Sequence, residues 1–199
     1  MADREVSYGQ SAWGRYGAGM SEPEVSVIAR APKTQRPEGV GSGRAASWDD
    51  VTRLLRAGGG LSWLATTGPE QAPHVRPVFA AWTGESLVIA SNPKARKTAA
   101  LEHEPRCSVA IDLSELHVVV EGVARRLTSP ADLTRATVAF SEVYDWPTTV
   151  VGDRIDADGA APSSGGPPFY VYEVTPIRAF GFPTADQVEP TRWRFGTAT

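Results

Sequence analysis

Residues 89–105, IASNPKARKTAALEHEP, pass from an apolar run into a helical pattern and set its charges against the helix dipole. Asn92 has the chemistry of an N-cap and Pro93 that of a first helical residue. Lys94, Arg96 and Lys97 then fall in the first turn, where unpaired N–H groups and the dipole already favour an anion, while Glu102 and Glu104 lie at the far end. Each misplaced cation costs roughly 0.3 kcal/mol or more unless an anion neutralises it. Lys94, Lys97 and Leu101 are spaced i, i+3, i+7, a single stripe. With Leu101 facing the core, both lysines start from the same side, and Ser91 and Asn92 add hydroxyl and amide donors. Two readings stand: a phosphate clamp built from Ser91, Asn92, Lys94, Arg96 and Lys97, or a solvated face in which Lys97 pairs with Glu102 or Glu104. No P-loop or G-x-G-x-x-G pattern occurs, so a phosphate here is not held by a Gly-rich loop.

Other chemistry is sparse. His74, His103 and His117 are scattered, with no i, i+4 pair and no Cys or Asp cluster at ligand spacing, so no metal site is expected. His103 belongs to a helix end, His117 opens a strand, and His74 alone is retained as a candidate proton donor. There is no G-x-S-x-G elbow or Ser/His/Asp constellation to support hydrolysis. The single cysteine, Cys107, excludes an intramolecular disulfide and sits in the alternating stretch RCSVAID, where it reads as a small core residue. GDRIDADG lacks the glutamate spacing of an EF-hand and reads as a solvated loop. A net charge of −3 offers no basic field for nucleic acid. The start of the chain has no signal-peptide pattern and no apolar run is of membrane-spanning length, so a cytoplasmic protein is expected.

The elements that must position these residues are mostly short strands. Residues 1–46 are rich in Gly, Ser and Pro and read as a flexible extension that can order against a partner subunit. The folded domain, 47–199, opens with SWDDVTRLLRAGG, where Ser47 and Asp50 make a capping box and glycines end the helix. LSWLATT, PHVRPVFAAW and SLVIAS follow as hairpin-linked strands, then RCSVAID and LHVVVEGVARRLT, with Gly122 as a bulge or barrel corner. A second helix is capped by Ser129, Pro130 and Asp132 and carries Leu133, Ala136, Phe140 and Tyr144 on one face. Residues 146–168 read as a long loop, with Tyr144 and Trp146 packing at its start. FYVYEVTP, RAFGF and TRWRF supply the last strands. The fold class is mainly β with flanking helices, an antiparallel barrel rather than a βαβ fold.

The order of these parts, WLATTGPEQAPHVRPVFAAW, SNPKARKTAALEHEPRCSVAID, VVVEGVARRLTSPADL, YEVTPIRAFGF and TRWRF, resembles the flavin- and deazaflavin-binding split β-barrels, the pyridoxamine 5'-phosphate oxidase-like superfamily. It is most similar to the actinobacterial branch that includes F420-dependent reductases. The resemblance covers residues 48 to about 195. It implies a six-stranded antiparallel split β-barrel and a homodimer with cofactor sites at the subunit interface. It assigns the cofactor phosphate to Ser91, Asn92, Lys94, Arg96 and Lys97, and the ring to His74, Val75, Arg76, Pro77 and Val78. The closing Trp-Arg-Phe is placed near the site, which makes Arg192, Trp193 and Arg194 secondary candidates, Trp193 for cofactor contact. Arg76 departs from the family's small hydroxyl residue before Pro-Val: it contacts cofactor or an acidic substrate, or it points outward. The implied function is hydride transfer between bound F420 and a small organic substrate. FMN is the alternative cofactor, and a non-catalytic flavin- or haem-binding protein the alternative role. Substrate choice is expected to reside in the 146–168 loop and the extension.

Overall fold

A computed structural model of the chain describes residues 22–28, 44–58, 60–184 and 188–196. The first long element is helix α1, Trp48–Ala57, following an edge strand β1, Glu24–Val27. The N-cap half of its capping box forms as expected: the Ser47 hydroxyl accepts from the Asp50 N–H at 3.1 Å, while the Asp50 carboxylate accepts from that same hydroxyl at 2.7 Å, and Gly58 ends the helix at φ 70°. β1 lies within the N-terminal extension and pairs with β11, Thr191–Arg194, of the same chain.

PHVRPVFAAW does not run as one strand. It divides at Phe79 into β3, Pro73–Val78, and β4, Ala80–Trp82. β3 pairs with β2, Leu61–Thr67, and β4 with β5, Leu87–Ser91. Pro77 has no N–H to give a second neighbour, and β3 is the open edge of the sheet. The sheet continues through β6, Arg106–Leu113, β7, Leu116–Leu127, and β10, Tyr170–Pro183. Among the described residues nine strands join the larger sheet, in the order β1-β11-β10-β7-β6-β2-β3, with β5 linking β10 to β4. The six strands expected are thus exceeded by three, because one run breaks in two and β11 and the extension's β1 are added along one edge.

β10 changes partner along one edge. Tyr170–Val174 pair with β5, and Arg178–Gly181 pair with β11, while β7 stays on the other edge. The switch is marked by a bulge between Pro176 and Arg178, opposite Gly122. A Cβ on Gly122 would stand 2.3 Å from the Thr175 carbonyl oxygen, so only glycine fits.

Two cores result. The barrel interior holds Leu64, Val78, Leu87, Ile89, Val109, Val120 and Trp193. A second core forms where helix α3, Pro130–Tyr144, lies over Val88, Leu127 and Val171, and it takes in Phe140, Trp146 and Phe169. β5 stands between them and is buried at all five residues, the reason it reads as a continuous apolar run rather than an alternating one. The 146–168 segment departs from the loop expected. Thr149–Val151 (β8) and Arg154–Asp156 (β9) form a hairpin around Gly152 at φ 63°, and Ile155 is fully buried in the second core. The acidic signature of GDRIDADG masked that single apolar anchor. Trp146 packs edge-on against Phe140 and Phe169, in line with the expected packing role.

Candidate functional site

Three segments meet near the edge strand: β3, helix α2 (Arg96–His103), and the strap formed by residues 161–166. α2 starts later than its sequence suggests. Asn92 is not its N-cap: the Asn92 side-chain oxygen accepts from the Lys94 N–H at 2.9 Å, and its carbonyl accepts from the Ala95 N–H at 2.9 Å and the Thr98 hydroxyl at 2.8 Å. This closed turn carries Pro93 and Lys94 outside the helix. The true N-cap, Ala95, offers no side-chain acceptor, and the first turn holds Arg96 and Lys97 with no acidic residue. The Thr98 N–H already donates to the Ala95 carbonyl at 3.0 Å, so the first-turn donors left to solvent or a ligand are the N–H groups of Arg96 and Lys97.

The later start separates the two lysines. Lys94 is exposed, whereas Lys97 is 2 % exposed. Its ammonium donates to the Ser163 carbonyl oxygen at 3.0 Å and the Ser163 hydroxyl at 3.2 Å. The solvated-face alternative does not hold for Lys97: Glu104 is taken by Arg106, and Glu102 accepts from the Tyr172 hydroxyl at 3.3 Å. Burial, with a smaller contribution from Arg76, pulls the Lys97 pKa down to about 8. Lys94, Arg76 and Arg96 make no ion pair among the described residues.

On β3, Val75, Arg76 and Pro77 are exposed, Val78 is buried in the barrel, and His74 is half-buried. Arg76 bends back onto the Val75 carbonyl at 2.7 Å. The His74 Nδ1 is buried without a hydrogen-bond partner. Its pKa is lowered by burial first, and then by the charges of Arg76, Arg96 and Lys97. Those four side chains therefore share one electrostatic neighbourhood. A cleft of about 210 Å³ lies between the β2–β3 turn and α2, lined by Gly68, Glu70, His74, Arg96 and Ala99.

Other expected site residues have structural roles. Ser91 is fully buried and its hydroxyl is 2.7 Å from that of Thr98, so it fastens α2 to β5. The Asn92 amide donates to the Gly166 carbonyl at 2.9 Å. Trp193 is a correction: it is fully buried, packed against Trp48 and over Gly181, and exposes no surface to a ligand. Arg192 donates to the Ser26 hydroxyl at 3.3 Å, and Arg194 is exposed. Cys107 is buried, which pushes its thiol up to about 12. His117 meets Asp112 at 2.9 Å, and among the described residues no group of three His, Cys, Asp or Glu side chains is arranged to hold a metal. Ser163 is the residue that sequence reasoning missed. It lies 66 positions from Lys97, in a Ser/Gly/Pro stretch with no periodicity.

Residues 50–181 match the family described as pyridoxamine 5'-phosphate oxidase. The chain belongs to that family. Its architecture is the split β-barrel of the wider superfamily, as the sequence resemblance implied. Among curated protein sequences no relative matches. Among solved structures, the conserved hypothetical protein Rv2991 from Mycobacterium tuberculosis is similar at 19 % identity and a TM-score of 0.55, covering 71 % of this chain and 88 % of that one. A NimC/NimA family protein from Clostridium acetobutylicum is similar at 18 % identity and a TM-score of 0.50, with 73 % and 90 % covered. A protein described as an F420 reductase is similar at 18 % identity and a TM-score of 0.46, with 72 % and 98 % covered. Among the described residues no helix of this family member is long and apolar enough to cross a membrane.

Proposed function

We propose that this pyridoxamine 5'-phosphate oxidase family member is an oxidoreductase that binds F420 and transfers hydride to or from a small organic substrate, with FMN as the alternative cofactor. The observation that carries this reading is Lys97, a buried ammonium with no carboxylate partner beside a helix start that carries no cap. A buried cation satisfied by neutral oxygens is costly unless an anion arrives to pair with it. A phosphate oxygen supplies that pairing, and the free N–H groups of the first turn supply further donors.

Bound cofactor would supply the hydride chemistry. The chain's own residues hold and orient it. Lys97 and Arg96 take the phosphate. The exposed β3 segment Val75–Pro77 offers a flat edge for a ring, and His74 Nδ1 is held ready for a hydrogen bond. The arginine at position 76 and the exposed Lys94 extend the positive field beyond what one phosphate needs. That excess favours F420, whose tail is acidic, over FMN.

The reading includes a homodimer. Pro77, Trp63, Ala110, Val119 and Phe180 form one cross-strand row on the outer face of the larger sheet, Pro77 exposed and the other four half-buried. An apolar row of that kind is suited to a second copy that also walls the cofactor.

The test is a pair of titrations, F420 and FMN, against wild type and the Lys97→Ala and Arg96→Ala variants. The reading expects one cofactor to bind tightly and to lose roughly tenfold or more in affinity in Lys97→Ala. Failure of both cofactors to bind wild type overturns it, and a Soret band on adding haem would redirect it to a haem carrier.

A further inference from the structure

Ser163 engages Lys97 in a way that a resting structural contact does not require. Its carbonyl and hydroxyl oxygens are the two acceptors of the Lys97 ammonium, and its hydroxyl also donates to the Pro77 carbonyl at 2.7 Å. One residue thus bridges the helix start and the edge strand, the two elements that supply the cationic neighbourhood. The strap around it is anchored at Ala161, Ser164 and Gly166. Ala161 and Ser164 are buried, the Ser164 hydroxyl donates to the Ala90 carbonyl at 3.5 Å, the Asn92 amide holds the Gly166 carbonyl, Ala161 bridges Gly165, and the Ser164 N–H donates to the Ala161 carbonyl at 3.1 Å. Between and beyond those anchors, Ser163, Gly165 and Gly166 are exposed, and a Cβ at Gly165 or Gly166 would meet nothing within 4 Å. Ser163 and Gly165 both hold positive φ, at 52° and 71°. That conformation is unfavourable for serine and is kept here by the Lys97 and Pro77 bonds.

We propose that the 161–166 strap is a displaceable plug, in which the two Ser163 oxygens occupy the place on Lys97 that an oxyanion takes when it binds. This rests on the reading of Lys97 as an anion site. A carbonyl and a hydroxyl are neutral acceptors, so an anionic oxygen outcompetes them for a buried ammonium. Release of Ser163 also relieves its positive φ and frees the Pro77 carbonyl on the strand that lies beside the site. The plug keeps a buried cation satisfied while no ligand is bound, at the expense of ligand affinity.

Inorganic phosphate is the probe. Its dissociation constant is measured by titration calorimetry on wild type, Ser163→Ala, Ser163→Gly and Lys97→Met, and amide exchange of residues 161–166 is followed in wild type with and without saturating phosphate. The glycine variant tolerates the positive φ, so it removes the hydroxyl without disturbing the strap's backbone. The plug predicts roughly fivefold tighter phosphate binding in both Ser163 variants, the effect of one lost competing hydrogen bond. It also predicts faster exchange at Ser164 when phosphate is bound. Unchanged or weaker binding in the Ser163 variants, or slower exchange, with binding still lost in Lys97→Met, overturns the plug and leaves the anion site standing. No phosphate binding in wild type or in either Ser163 variant overturns both.

Discussion

The Tyr144 hydroxyl closes a two-way contact with the backbone of Ala80: it accepts from the Ala80 N–H at 2.9 Å and donates to the Ala80 carbonyl at 3.0 Å. A side chain from the end of α3 thereby takes the place of a strand partner just beyond the break between β3 and β4. The ring is held there by stacking on Phe79, with centroids 4.3 Å apart. The contact lets the chain leave one side of the barrel and join another without orphaning a buried peptide group.

Tyr144→Phe keeps the stack and removes both hydrogen bonds. Ala80 is 5 % exposed, so water cannot fully replace them. The variant is expected to lose about 2 kcal/mol of stability, read as a lower midpoint with an unchanged slope in urea unfolding. A change below ~0.5 kcal/mol would show that the two bonds are not what secures the break.

Lys97 gives the protein a distinctive alkaline signature. Its pKa falls to about 8 from an ordinary 10.5, so the buried charge destabilises the fold fully below pH 8. As pH rises from about 8 to 10.5, the folded state sheds this proton before the unfolded chain does, and stability rises. Lys97→Met removes the group, so it is expected to raise the melting temperature at pH 7 by ~2 °C or more and to flatten the rise toward pH 10. Thermal melts of both proteins at pH 7 and pH 10 check the sign.

Glu173 works in the opposite direction. Burial opposes its ionisation, but hydrogen bonds from Ser86 and Arg125 outweigh that and hold its pKa below the ordinary value, with Arg135 also in reach at 3.1 Å. Its contribution is present above the unfolded pKa near 4.5 and is lost as pH falls through the lowered folded value. Glu173→Gln leaves Arg125 and Arg135 without their shared carboxylate. A loss of roughly 1–3 kcal/mol at pH 7 that shrinks below pH 4 is expected in denaturant titrations.

Gly122→Ala tests the partner switch of β10. The added methyl would meet the Thr175 backbone oxygen at 2.3 Å, so β7 and β10 must move apart. The expected loss is about 2–3 kcal/mol in guanidinium unfolding, well above the small gain that Gly to Ala brings at an unstrained strand position.

The proposed dimer is checked through Val119, half-buried on the outer face and flanked by Ala110 and Phe180 in register. Val119→Asp is expected to shift sedimentation from a dimer to a monomer while the far-UV spectrum stays unchanged. A wild-type protein that sediments as a monomer would refute the dimer outright.

Local chemistry made much of this molecule legible without coordinates. Ser47 with Asp50 and Ser129 with Asp132 announce two helix starts, because capping depends on residues three apart. Period-two alternation in RCSVAID and LHVVVEGVARRLT places Val109 and Val120 inside the barrel, and Gly122 is recognisable as the one glycine in a strand run. The cationic cluster at Arg96 and Lys97 is likewise written in seventeen consecutive residues. Other features were settled only by contacts between distant segments. The start of α2 moved because the Asn92 carbonyl was captured by Ala95 and Thr98, and the division at Phe79 depends on Tyr144, 64 residues from Ala80. Trp193 could not be told from a ligand-facing residue until Gly181 and Trp48 closed around it. Ser163 had no local signal at all, since its role comes from lying over Lys97. Capping and alternation are short-range energies that a few neighbouring residues fully specify. Burial and the partner of a lone cation belong to the packed whole, and only the tertiary structure decides them.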